Sequence, residues 1–249
     1  MTATLIACAH GTHSHAGRAT IDALRSRIAL LLPDVTVAEA YVDVQEPAVD
    51  AVVEARGSGE AVIVPLLLST GFHTEVDLTR AAGDDVAVAR PLGPHPLLAD
   101  VLIDRVRAAG AVSTWPLVIA AAGSSDARAA VDVEATRALV AQAWDGPVTV
   151  GYVSAMSPRV GDAVARARGD GGPVAVATYL LAPGYFADLV AQAGGDLTGA
   201  PLGDDARVAE VARQRYVAAV GSASSSGVVG SPAAEPSTAA SGASVTDAG

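Results

Sequence analysis

Four short blocks of this sequence occur twice, in the same order. LIACAHGT from Leu5 resembles LVIAAAGSS from Leu117, and AYVDVQEPAVDAV from Ala40 resembles GYVSAMSPRVGDAV from Gly151. VPLLLSTGFHTEV from Val64 resembles ATYLLAPGYFADL from Ala177, and RPLG from Arg90 resembles APLG from Ala200. The spacing is nearly constant: Gly11 to Gly123 is 112, Pro47 to Pro158 is 111, Gly71 to Gly184 is 113 and Gly93 to Gly203 is 110. A chain built this way must fold as two similar halves, joined around Ala108–Trp115. Residues 1–112 form the first unit and 113–220 the second.

Each unit alternates short apolar runs with helical patterns. In the first, Thr4–Ala9 is a buried strand. Arg18–Leu32 places Ile21, Leu24, Ile28 and Leu31 at helical spacing, and Pro33 stops it. Val35–Val42 reads as a strand, Pro47–Arg56 as a helix with Pro in its first turn, and Ala61–Leu68 as a strand. Val86–Ala89 is a short strand and Pro96–Ala109 a closing helix. Continuous apolar strands separated by helices imply an α/β fold with parallel pairing and both sheet faces covered. The expectation is two tandem three-layer lobes, each with a four-stranded, mostly parallel sheet, and a cleft between them. Gly221–Gly249 has 24 of 29 residues as Ser, Ala, Gly, Pro or Thr, and reads as a disordered tail.

All 16 basic residues are Arg, against 27 acids and a formal charge of −11. Without Lys there is no Walker A loop, no Schiff-base amine and no kinase strand Lys. The acidic balance argues against nucleic-acid binding. One Cys allows neither an internal disulfide nor a Cys-based zinc site. The N-terminus has no basic region and too short an apolar stretch for a signal peptide, and no apolar run could span a bilayer. The expectation is a cytoplasmic protein.

The five His (His10, His13, His15, His73 and His95) all lie in the first unit. The positions matching His10 and His73 in the second are Ala122 and Phe186. The fold is duplicated while this chemistry is present once. His10 follows a buried strand and His73 lies in the loop after another, so both should face the crevice at the carboxyl ends of the sheet. Asp43 ends the intervening strand at the same edge. Two imidazoles and a carboxylate there would make an open divalent-metal site, able also to accept protons near neutral pH. Structural readings stand beside this one: hydrogen-bonded strand-end histidines, and Asp43 as a helix cap. His13 and His15 read as solvated loop residues, His95 as a turn residue before the closing helix, and Cys8 as a small buried apolar residue. Glu75 and Asp77 either orient His73 or cap the next helix. AAGSS from Ala121 is at most a weak anion site.

Together AHGT, YVDVQEP, VPLLLSTGFHTEVDL and PLGPHPLL resemble the ATP-independent tetrapyrrole metal chelatases, specifically the two-lobed sirohydrochlorin cobalto- and ferrochelatases, over roughly residues 4–220. The resemblance implies insertion of a divalent metal into sirohydrochlorin, in siroheme or cobalamin biosynthesis, without nucleotide hydrolysis and with no permanently bound cofactor. It implies that His10 and His73 hold the incoming metal and help remove pyrrole protons. Asp43 stands where the family usually has Glu, as the third ligand, and His13 where it often has Arg. Thr12 and Glu75 would orient the ligands. Arg18, Arg80 and Arg90 are candidates to meet the substrate's eight carboxylates. Fe²⁺ is favoured over Co²⁺ because siroheme production needs no cobalamin pathway. The duplication implies a monomer with an internal pseudo-dimer. Two other readings are a carrier of the same fold without turnover, and a phosphate-transferring His enzyme, which would want an Arg beside its His.

Overall fold

The computed structural model describes residues 3–71, 76–169 and 171–226. The first repeat runs β1 (Thr4–Ala9), α1 (His15–Leu31), β2 (Val37–Tyr41), α2 (Val49–Ala55), β3 (Ala61–Pro65), α3 (Leu78–Ala82), β4 (Ala87–Val88), α4 (Pro96–Ala108). The second runs β5 (Leu117–Ala121), α5 (Arg128–Ala141), β6 (Val148–Tyr152), α6 (Val160–Arg168), β7 (Ala175–Tyr179), α7 (Tyr185–Ala191), β8 (Leu197–Thr198), α8 (Ala206–Ser226). The sheets are ordered β2-β1-β3-β4 and β6-β5-β7-β8, and every pairing between strands is parallel.

Strand alternation separates three cores. In β1, Leu5, Ala7 and Ala9 face a large core between the two sheets, while Ile6 and Cys8 face a smaller outer core with Val49 of α2 and Leu78 of α3. In β5, Leu117, Ile119 and Ala121 join the large core, and Val118 and Ala120 face a second outer core with Val160 of α6 and Val190 of α7. α1, α4, α5 and α8 fill the shared middle layer. Strands apolar along their whole length are what two covered faces require.

The closing helices are exchanged between the halves. α4 ends the first repeat but packs on α5 and β7; α8 ends the second and packs on α1, β3 and β4. Reciprocal bonds mark the exchange. Arg105 of α4 donates to the Leu202 carbonyl at 3.0 Å. Arg215 of α8, 110 residues on, donates to the Leu92 carbonyl at 2.9 Å. Tyr216 of α8 also donates to the carbonyl of Ala3.

Several boundaries differ from the sequence reading. α1 begins at His15, three residues before Arg18, because the Ser14 hydroxyl accepts from the Gly17 N–H at 3.2 Å and caps it. His15 therefore stands in the first helical turn and not in a loop. α8 continues through Ser226, so the first six residues assigned to the tail are helical. The propensity of this Gly/Ser run disfavours a helix, and the extension follows the Ala-rich turn before it, with the Ser222 hydroxyl donating back to the Ala218 carbonyl. The rest of that tail, 227–249, lies outside the described residues. Among the described residues no helix is long and apolar enough to cross a membrane.

His95 is the N-cap of α4 and not merely a turn residue: its Nδ1 accepts from the Leu97 N–H at 3.2 Å, and its Nε2 meets Gln214 Oε1 at 3.1 Å. A cap acceptor at Nδ1 requires the neutral ring. Burial lowers its pKa below the ordinary 6.5, outweighing the Gln214 bond that raises it. As pH falls through 6.5 the unfolded chain takes up the proton first, so the stability this neutral cap contributes is lost on acidification. The drop in thermal midpoint between pH 7.5 and pH 5.5 is expected to be smaller in His95→Asn, which retains a cap acceptor. Equal drops in both proteins would show that the cap does not titrate.

Candidate functional site

The carboxyl ends of the central strands of both sheets converge. After β1 the chain turns into the shared middle layer, and after β3 it turns to the outer layer, so a crevice opens between them. β5 and β7 repeat this from the other half. The result is a cavity of about 570 Å³, lined by His10–Ser14 after β1, Leu66–Gly71 after β3, Ala122–Ser124 after β5 and Leu180–Ala187 spanning the β7 end and α7. This is the size of a small-molecule site. Its walls are mostly aliphatic.

His10 is exposed and lines the cavity, held by backbone on both sides. Its carbonyl accepts from the Asp43 N–H at 3.0 Å. Gly11 has φ +96°, and a Cβ there would overlap the Asp43 carbonyl oxygen. The Thr12 N–H donates to Gln45 Oε1 at 2.8 Å. The Thr12 hydroxyl accepts from the Ser14 N–H at 3.1 Å, and the Thr12 carbonyl accepts from Arg18 Nε at 2.9 Å. Thr12 thus orients the loop through its own backbone. Gln45 was not singled out from sequence; its signal was its place inside the repeated YVDVQEP block.

His73 and Glu75 lie outside the described residues, as does Phe72. The loop leading to His73 is described as far as Gly71, and second-copy residues hold it. The Thr70 N–H donates to Asp132 Oδ2 of α5 at 2.6 Å. The Tyr179 hydroxyl donates to the Leu68 carbonyl at 3.0 Å and accepts from Thr136 at 3.1 Å. Sequence reasoning missed both Asp132 and Tyr179 because it searched for metal donors, and these act through backbone groups of the other half.

Asp43 is exposed, and its Oδ1 accepts from the Val44 N–H at 2.8 Å. The neighbours Val44 and Gln45 line the cavity. Among the described residues no three of His, Cys, Asp and Glu are gathered as a metal-holding group. His13, also exposed, lines the cavity mouth. None of the three candidate arginines is in the lining. Arg18 reaches the lining only through its bond to the Thr12 carbonyl. Arg80 pairs with Asp77 at 3.5 Å and reaches Asp50 at 4.0 Å, and Arg90 is exposed at the end of its strand region. Cys8 is fully buried toward the outer core, and burial, assisted by the charge of Asp50, pushes its thiol up to about 12.

The two buried phenols of the lining are held protonated. Burial and then the bond to Glu39 push Tyr41 up to about 12, and burial pushes Tyr179 higher still. Among the described lining residues, His10 and His13 are the imidazoles, the side-chain type suited to bind a metal or accept a proton.

The CbiX family model matches this chain twice, over residues 4–109 and 116–219. A probable sirohydrochlorin cobaltochelatase of Halobacterium salinarum is 32% identical over 84 residues, a match that takes in 27% of this chain and only 29% of that protein's length. SirB from Bacillus subtilis with Fe³⁺ superposes with a TM-score of 0.77 at 19% identity, over 90% of this chain and 98% of that one. The sirohydrochlorin chelatase SirB from Bacillus subtilis subspecies spizizenii, in complex with cobalt, gives 0.73 at 17% identity over the same shares. At these identities the two structures establish the fold, and the family match covers both repeats.

Proposed function

The chain belongs to the CbiX family of class II chelatases, and from that premise we propose that it inserts a divalent metal into sirohydrochlorin without ATP. Fe²⁺ for siroheme is the favoured reaction, with Co²⁺ for the cobalamin route as the second metal. The observation that carries this reading is an exposed imidazole, His10, at a strand end in a mostly aliphatic cavity walled by both halves.

A free macrocycle holds two N–H protons that must leave as the metal enters. His10 and His73 serve as donors to the incoming metal and as acceptors for those protons. Asp43 joins them once its carboxylate turns from the Val44 amide. Nitrogen and oxygen donors with open positions hold a metal loosely enough to give it up. The aliphatic walls take the ring, and its carboxylates extend toward solvent, where Arg18, bonded to the Thr12 carbonyl, is a candidate cation. The chain works as a monomer in the cytoplasm, its second half doing what a partner subunit would.

The test is an anaerobic absorbance time course with metal-free sirohydrochlorin, Fe²⁺ or Co²⁺, and substoichiometric protein. Many turnovers above the spontaneous rate are expected, falling to that rate in His10→Ala and His73→Ala. One metallated ring per protein and no more would make it a carrier instead. Unchanged turnover in both variants would remove the proposed donors from the mechanism.

A further inference from the structure

The chain has only two Phe, five Tyr and two Trp in 249 residues, yet two aromatics stand side by side at the cavity mouth. Tyr185 and Phe186 open α7, are 72% and 36% exposed, and both line the cavity. Their centroids lie 6.0 Å apart with planes inclined at 48°, so neither ring face is consumed by stacking on the other. The preceding Gly184 abuts the histidine loop: a Cβ there would meet Ser14 Cβ at 3.4 Å and Thr12 Oγ1 at 3.6 Å. A Cβ on Gly17 would meet the Pro183 carbonyl at 2.7 Å. This aromatic ledge therefore begins directly beside the loop that follows His10, on an element of the other copy.

We infer that Tyr185 and Phe186 form the recognition surface for the flat face of a conjugated macrocycle, dividing labour between the copies. The inference rests on the chelatase reading above. The first copy supplies metal donors and the second grips the ring. Solvent-exposed aromatic rings attract a planar π-system by burial and by quadrupole complementarity, and a neighbouring aliphatic wall adds contact without fixing ring orientation. The ledge also accounts for the second copy carrying Phe186 at the position of His73: a second donor there would compete for the metal, whereas an aromatic presents the ring to it.

The experiment measures binding of metal-free sirohydrochlorin by its fluorescence, with no metal present, alongside Co²⁺ titration of the protein without the ring. Tyr185→Ala and Phe186→Ala are each expected to weaken ring binding about tenfold, with Co²⁺ affinity unchanged. Tyr185→Phe should bind like wild type, since the face and not the hydroxyl is used. In turnover assays the loss should appear in KM with kcat largely kept. Wild-type binding and turnover combined with unchanged ring affinity in both alanine variants would overturn the ledge while leaving the chelatase reading standing. Ring affinity unchanged but self-association lost would reassign the pair to a protein contact. A wild-type protein that fails to bind the free ring overturns both readings.

Discussion

Gly11→Ala is expected to lose about a hundredfold in kcat/KM and about 2–4 kcal/mol in stability, the first from displacement of His10 and the second from backbone strain and overlap. Gly11 has φ +96°, and the atom a Cβ would strike is the backbone oxygen of Asp43, which cannot swing aside as a side chain could. The same Asp43 holds the His10 carbonyl through its N–H. Relief of the overlap must therefore part the two strand ends and carry His10 with them. The repeat supplies a matched control. Gly123 has φ +85°, and its Cβ would overlap the carbonyl of Ser154, whose N–H is bonded to Ala122 at 2.9 Å. Gly123→Ala should cost similar stability, read by chemical denaturation, but less than tenfold in activity per folded molecule because Ala122 supplies no donor. Equal losses of activity in the two variants would show that both copies contribute equally to the chemistry.

A chain ended at Asp205, without α8, is expected to show no cooperative unfolding transition. Val208, Val211 and Tyr216 are buried in the shared core together with Ala209 and Ala212. Burial of the three larger side chains contributes roughly 5–9 kcal/mol at about 1.5–3 kcal/mol each. That is comparable to the whole stability of a domain, about 5–15 kcal/mol. The loss falls on the half that carries His10, because α8 covers β3, β4 and α1. Calorimetry or near-ultraviolet circular dichroism would decide it. A transition within a few degrees of the full chain would mean that α8 is an ornament on a lobe already complete.

The repeat was legible in sequence because strand runs and the residues that turn the chain recur together; β1 falls at Thr4–Ala9 on both grounds. The parallel sheets followed from strands apolar on both faces. The helix exchange was not legible. Leu98, Leu102 and Val106 announce that α4 has a buried face, but nothing in that spacing says which of two similar sheets receives it. The placement of His10 could be read because a strand end fixes a backbone position. The carboxylate of Asp43 could not, since its bond to the Val44 amide is a rotamer choice made after the backbone is set. Gln45, Asp132 and Tyr179 escaped for a third reason: each holds a loop by bonding a backbone group, and no residue pattern says that a polar side chain at the cavity or a tyrosine in the core will do so.

The alternation of β1 decides which way the sulfur beside the cavity points. Ala7 and Ala9 face the shared core, and Cys8 between them faces outward into the other, two residues from His10. One step of register in that strand would turn the only thiol of the chain toward the cavity side. As built, the sulfur is buried and held as the neutral thiol. On the chelatase reading, an ion arriving beside His10 would meet an imidazole nitrogen and not a sulfur. Soft, thiophilic ions, which a thiolate would trap, would find no such anchor there; on the chelatase reading proposed above, the cavity would be left to metals that nitrogen and oxygen can both bind and release.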